Sequence, residues 1–176
     1  VYLIAEFYGC QRDTMTGEAI PNEGLKWDPD KVFAEMRNFE DTHPLLKGRE
    51  ITGVADPAIW NPEHGMSIAE VAIKHGIYFT PAQHNRLHGL MQIHFRFQFD
   101  ADGYPRMYFL DSCPNMIRTI PGLQYDQHKI EDVDTSMEDH LYDTLRYHCE
   151  QHLITPMEAK PEVRPMSDPL DMFSRY

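Results

Sequence analysis

Short apolar runs alternate with strongly punctuated helical segments along this chain, and that alternation points to a layered α/β fold with crossover connections. Val1 to Tyr8, residues 50–55, Ile77-Tyr78-Phe79 and Met107-Tyr108-Phe109-Leu110 read as strands. The segments between them carry their own start and stop signals. Asp28-Pro29 supplies an N-cap followed by proline at the first helical position. The helix it predicts runs to about Glu40, with Val32, Phe33, Met36 and Phe39 on its apolar stripe. Ser67-Ile68-Ala69-Glu70 is a capping box opening a helix that Gly76 closes. Further helices are predicted from about Gln83 to Phe97 and over Pro114 to Thr119. Thr135 and Glu138 form a second capping-box signature, so the last helix is predicted from there to about Gln151. Residues 9–27, rich in Gly, Pro, Asn and Thr, read as a loop, and Asp100 to Gly103 as a turn.

The chain has 176 residues, which is one domain's worth, enough for a full hydrophobic core. Its boundary is expected at 154, because residues 155–176 hold four prolines, several charges and no periodicity, and read as an extended or disordered tail. No run approaches the ~18 apolar residues of a membrane span. Cys10, Cys113 and Cys149 are odd in number without CxxC spacing, which predicts a reduced, cytoplasmic setting. The formal charge of −12 argues against a broad, non-specific grip on nucleic acid, though not against a nuclease. The first residues already read as strand, so a piece of a longer protein is expected.

The chemistry centres on Asp139 and Asp143. Four residues apart near the start of the predicted helix, they share one face. Like charges at that spacing are mildly destabilising, and a cation between them would remove the cost. Asp56, at the end of the strand preceding Pro57, is a third carboxylate. Acids at a strand tip facing acids on a helix are suited to hard divalent cations such as Mg²⁺ or Mn²⁺. Taken alone, Asp139 and Asp143 read first as N-terminal acids on a solvated helix face, and Asp56-Pro57 as a routine turn opener.

The wider string weighs against those plain readings. Asp111-Ser112-Cys113-Pro114-Asn115-Met116-Ile117-Arg118-Thr119-Ile120-Pro121 is followed by Glu131-Asp132-Val133-Asp134-Thr135. Then comes Glu138-Asp139-His140-Leu141-Tyr142-Asp143-Thr144-Leu145-Arg146-Tyr147. Together with Gly53-Val54-Ala55-Asp56-Pro57-Ala58-Ile59-Trp60, Pro81-Ala82 and Asn85-Arg86 to Gly89, this resembles the C-terminal nuclease domain of phage terminase large subunits, across most of residues 1–150. The resemblance implies an RNase H-like layered fold with a central mixed sheet flanked by helices. It implies Mg²⁺- or Mn²⁺-dependent cutting of concatemeric double-stranded phage DNA into genome lengths. Asp56, Asp139 and Asp143 would be the metal-binding and catalytic carboxylates. His140 stands where many relatives have a second Asp. The family's first acidic strand is not matched, which leaves Glu6 as a possible fourth acid. The implied partners are the terminase ATPase domain, the small terminase subunit and the portal, in the cytoplasm of a bacterial host. The sequence holds no GxxxxGK[ST] segment, so the motor is expected as a partner.

Two other function classes stay open at this stage. A non-catalytic docking module on the same fold would contact portal or capsid through the tail, and a junction resolvase would cut branched DNA. His84/His88 and His148/His152 are i, i+4 pairs, but no HExxH or cysteine partner supports zinc. Arg86, Arg96, Arg106 and Arg118 read either as a DNA path or as carboxylate partners.

Overall fold

The computed structural model describes residues 1–63 and 65–156, so the tail predicted over 155–176 lies outside the described residues beyond Pro156. Within them the strands are β1 (Tyr2–Leu3), β2 (Cys10–Arg12), β3 (Ala19–Gly24), β4 (Gly53–Ala55), β5 (Pro62–Glu63), β6 (Met66–Ser67), β7 (Phe79–Pro81) and β8 (Tyr108–Phe109). The helices are α1 (Pro29–Thr42), α2 (Ile68–Lys74), α3 (Arg86–Phe97), α4 (Pro114–Thr119) and α5 (His140–Gln151).

The architecture is mixed α/β, but among the described residues the strands form four separate two-stranded ladders and not one central sheet. β1 and β8 pair parallel, as do β4 and β7, so both are crossover units of the kind the alternation predicts. β2–β3 and β5–β6 are antiparallel hairpins.

Several local signals act as expected. Asp28 accepts from the Lys31 amide at 2.8 Å and starts α1. Ser67 and Glu70 close a full capping box on α2, and Gly76 ends it at φ +71°. α4 spans Pro114–Thr119, as the sequence predicts.

Three expectations are corrected. Strand geometry in residues 1–8 is confined to Tyr2–Leu3. The predicted loop over 9–27 contains the β2–β3 hairpin. Its turn is set by Asp13, whose carboxylate accepts from the Met15 and Thr16 amides at 2.8 Å each, and by Gly17 at φ +72°. That hairpin carries Pro21 and a left-handed Asn22, so it shows no apolar alternation. The last helix begins at His140, not near Thr135. Glu138 is drawn away from local capping by Arg118, whose Nη1 and Nη2 each donate to it at 2.8 Å, and by the Tyr8 hydroxyl at 2.6 Å. A charge-assisted, two-pronged bond outweighs a capping bond to one amide.

Two apolar clusters hold the elements. The larger joins α3, α4 and α5 through Leu90, Ile93, Met116, Leu141, Leu145 and Cys149, with Leu3 and Phe109 of the β1–β8 pair packed on it. The smaller joins α1 and α2 through Phe33, Ala72 and Ile77, with Phe79 of β7 packed against them. α3 approaches α5 closely because Gly89 faces Arg146: a Cβ there would lie 2.3 Å from Arg146 Cγ.

Candidate active site

α5 begins at the floor of the candidate site. Asp139 is its N-cap residue, although its side chain caps nothing, and the Asp143 amide donates to the Asp139 carbonyl at 2.9 Å. From the facing helix, Arg86, the first residue of α3, reaches into this region. Its Nε donates to Asp132 Oδ2 at 2.7 Å and its Nη1 to Asp143 Oδ1 at 3.1 Å. Its Nη2 lies 3.9 Å from Asp139 Oδ2, too far for a hydrogen bond, and is buried without a partner. Asp132 is held in place by buried Val133 beside it, and its own carboxylate accepts the Val133 amide at 2.8 Å.

One turn further along α5, Arg146 occupies a second position. Its Nε and Nη2 donate to Asp143 Oδ1 at 3.1 and 3.0 Å, and its Nη1 to Glu150 Oε2 at 3.3 Å. The same Asp143 oxygen therefore accepts from both guanidinium groups. The Arg146 side chain is 2% exposed and that of Glu150 1% exposed. Glu150 Oε1 has no hydrogen-bond partner, and His88 Nδ1 is 3.9 Å from it.

Asp132, Asp139, Asp143 and Glu150 thus share two guanidinium groups, leaving two carboxylates in excess. Burial, followed by the Asp143 charge, pushes the Asp139 carboxyl above the usual range, against the pull of His140 and Arg86. Burial likewise pushes Glu150 up, against Arg146. Perturbed carboxyls of this kind mark functional sites more often than ordinary surface ones.

A carboxyl raised in the folded state contributes stability only below its unfolded value, and that contribution is lost as pH rises through the folded value. Asp139 is therefore a liability at neutral pH. Asp139→Asn is expected to stabilise the protein at pH 7, with a smaller gain at about pH 4, because protonation removes the buried charge as pH falls through the carboxyl's raised folded value. Urea unfolding at both pH values checks this, and a destabilised variant at pH 7 would contradict it.

Asp56 ends β4, as expected, and attaches to α5 one turn beyond Asp143. The Tyr147 hydroxyl donates to Asp56 Oδ2 at 2.6 Å, while Oδ1 accepts the Ala58 amide at 2.7 Å and caps the 3₁₀ turn Pro57–Trp60. These two bonds, Tyr147 first, hold its carboxyl below the usual range. Burial and then the Asp56 bond push the Tyr147 hydroxyl up to about 12.

Glu6 lies elsewhere, bonding the Asn115 and Met116 amides at 2.8 and 3.0 Å at the start of α4. His140 is exposed beside Asp139. Arg96 is 1% exposed and bonds the Gln92 and His152 carbonyls, so it fastens the end of α5 to α3 and does not line a surface path. Arg118 is the partner of Glu138. The His148 and His152 rings are exposed and 4.8 Å apart.

Sequence reasoning placed Asp139 and Asp143 together but did not assign Asp132, Arg146 or Glu150 to the site. The i, i+3, i+4 ladder Asp143–Arg146–Glu150 was the available signal. The oxygen-only donor set suits Mg²⁺ or Mn²⁺ in kind. Among the described residues, however, no group of three or more His, Cys, Asp or Glu side chains is arranged to hold a metal, because the carboxylates are turned to guanidinium groups. No helix among the described residues is long and apolar enough to cross a membrane.

Models of known protein families give no match to the chain, and neither do curated proteins or solved structures.

Proposed function

We propose that this chain is an RNase H-like, metal-dependent endonuclease domain of the phage terminase type, acting on double-stranded DNA. The observation that carries the reading is the convergence of Asp132, Asp139 and Asp143 at the start of α5, with the Asp56 strand tip docked on that helix through Tyr147. Asp56, Asp139 and Asp143 would hold Mg²⁺ or Mn²⁺. When bound, such ions generate a nucleophilic water and stabilise the leaving oxygen of a phosphodiester.

The chain's own residues prepare the site. Arg146 fixes Asp143 through Oδ1, leaving Oδ2 less engaged, 3.5 Å from Arg86 Nη1. Tyr147 orients Asp56. His140, exposed next to Asp139 in sequence, would contact a phosphate of the DNA. The ATPase motor, small terminase subunit and portal are the partners this reading entails.

Plasmid cleavage by the purified chain with Mn²⁺, Mg²⁺ or EDTA, alongside Asp139→Ala, tests the proposal. Cutting is expected with metal, absent with EDTA and lost in the variant. Folded protein that cuts under no condition overturns it. Preference for branched over linear DNA would move the reading to a junction resolvase.

One observation favours a non-catalytic docking module instead: Asp56 and Asp143 already spend oxygens on Tyr147, Ala58, Arg86 and Arg146. Under that reading Asp139→Ala leaves binding to portal or capsid unchanged.

A further inference from the structure

We propose that His88 and Glu150 form an acid-closed clasp between α3 and α5, in which one proton taken up by the pair joins His88 Nδ1 to Glu150 Oε1. The clasp rests on the packing of these two helices and not on the reading of the site as a nuclease.

α3 and α5 are fastened at two levels. At the first, Arg86 donates to Asp143. At the second, Arg96 donates to the His152 carbonyl, and the Gln92 carboxamide bonds the Ile154 amide and carbonyl at 2.9 and 3.1 Å. Between these levels, among the described residues, no hydrogen bond crosses from one helix to the other. Gly89 brings the two helices together there, so close that a Cβ on it would lie 3.2 Å from Glu150 Cδ.

This middle level holds a bond that is not made. Glu150 Oε2 accepts from Arg146 Nη1, whereas Oε1 is buried without a partner. His88 Nδ1 stands 3.9 Å from that same oxygen, about 1 Å too far for a charge-assisted hydrogen bond. An acceptor buried in this way has lost its water without recovering the bond, and closing the gap recovers it. His88 is the partner that moves. Glu150 is 1% exposed and held by Arg146, while the His88 side chain is 38% exposed. The His88 backbone is already fixed, its amide donating to the Asn85 cap at 3.0 Å, so only the ring has to turn.

A proton closes the gap whichever partner holds it. As imidazolium, His88 donates through Nδ1 to the carboxylate; as carboxylic acid, Glu150 donates through Oε1 to the neutral ring. The other ionisable groups around the pair are Arg146 and Cys149 on α5, Asp143 beyond Arg146, and His84 just before α3. Arg146 keeps its charge at every pH considered. Burial pushes the Cys149 thiol up to about 11, so it stays neutral. Burial also pushes the Glu150 carboxyl up, with Arg146, His88 and His84 pulling it back. A pair that gains a bond on protonation in the folded state adds stability as pH falls, and that contribution is lost as pH rises. Arg146 shares this carboxylate and bonds Asp143, so closure also steadies the guanidinium behind the candidate site.

Thermal unfolding of the whole chain at about pH 7.5 and about pH 6, on either side of the ordinary histidine range, tests the clasp. His88→Gln is expected to melt within about 1 °C of wild type at the higher pH and about 3 °C or more below it at the lower. In a Glu150→Gln background, adding His88→Gln should leave the melting temperature unchanged at both. A His88→Gln deficit that is equal at the two pH values, or absent at both, overturns the clasp. So does a pH-dependent deficit that survives in Glu150→Gln. If Glu150→Gln does not fold, amide exchange takes its place. Protection over residues 147–151 is expected to rise on acidification in wild type and not in His88→Gln, and an equal response in the two overturns the clasp.

Discussion

Arg146→Met is expected to lower the unfolding free energy by about 3–5 kcal/mol, a large share of the roughly 5–15 kcal/mol typical of a domain. Methionine replaces most of the apolar stem but not the charge. It strands Glu150, whose side chain is 1% exposed, and removes two of the bonds on Asp143 Oδ1. The cost is that of a buried charge left alone, which exceeds the net worth of the pair itself. Two consequences separate this from a simple packing loss. Adding Glu150→Gln should recover much of the stability, because the neutral amide needs no counter-charge. The defect should also shrink on acidification. Burial already raises the Glu150 carboxyl, and without Arg146 it rises further. The variant therefore regains stability as pH falls through the raised folded value of Glu150, and its defect is smaller at about pH 4 than at pH 7. Urea unfolding of the single and double variants at pH 7 and pH ~4 reads all three. A loss under about 1 kcal/mol would mean that Arg146 and Glu150 are not buried against one another.

What the sequence revealed follows the range of the interactions concerned. Asp28, Ser67 and Gly76 act within a turn of themselves, and their caps are where local reading places them. The Thr135–Glu138 signature has the same local form but fails, because Arg118 and Tyr8 compete for Glu138 from 20 and 130 residues away. The site divides in the same way. Asp139 and Asp143 are legible from spacing on one helix. The cation between them was anticipated as a need, but its present occupant is Arg86, 57 residues from Asp143, and nothing in the neighbourhood of either residue announces the pairing. Asp56 was legible as a strand-end acid, yet its partner Tyr147 depends on where β4 docks. Among the described residues the ladders are only two strands wide, so the predicted α/β alternation is present without the central sheet that the resemblance implied.

Gly89→Ala tests the packing that brings these groups together. In an ordinary helix this change gains about 1 kcal/mol of propensity. Here the new Cβ would lie 2.3 Å from Arg146 Cγ, 2.9 Å from its Cδ and 3.2 Å from Glu150 Cδ. These are not free chain ends. Both side chains are almost wholly buried and bonded to each other, and Arg146 is bonded also to Asp143. Overpacking of that kind costs up to about 3 kcal/mol, so the net loss is expected at about 1–2 kcal/mol. Gly122→Ala provides the contrast. Its Cβ meets nothing within 4 Å, and its unfolding midpoint should stay close to wild type. The strain at Gly89 also has a direction. It can be relieved only by moving Arg146, and Arg146 cannot move without releasing Asp143 Oδ1, the oxygen it shares with Arg86. Under the proposed nuclease reading, Gly89→Ala should therefore weaken Mn²⁺ binding and cleavage as well as stability, although residue 89 itself would present nothing to metal or DNA. A variant that loses stability but keeps wild-type Mn²⁺ affinity would show that Asp143 is placed by α5 alone, without the arginine behind it.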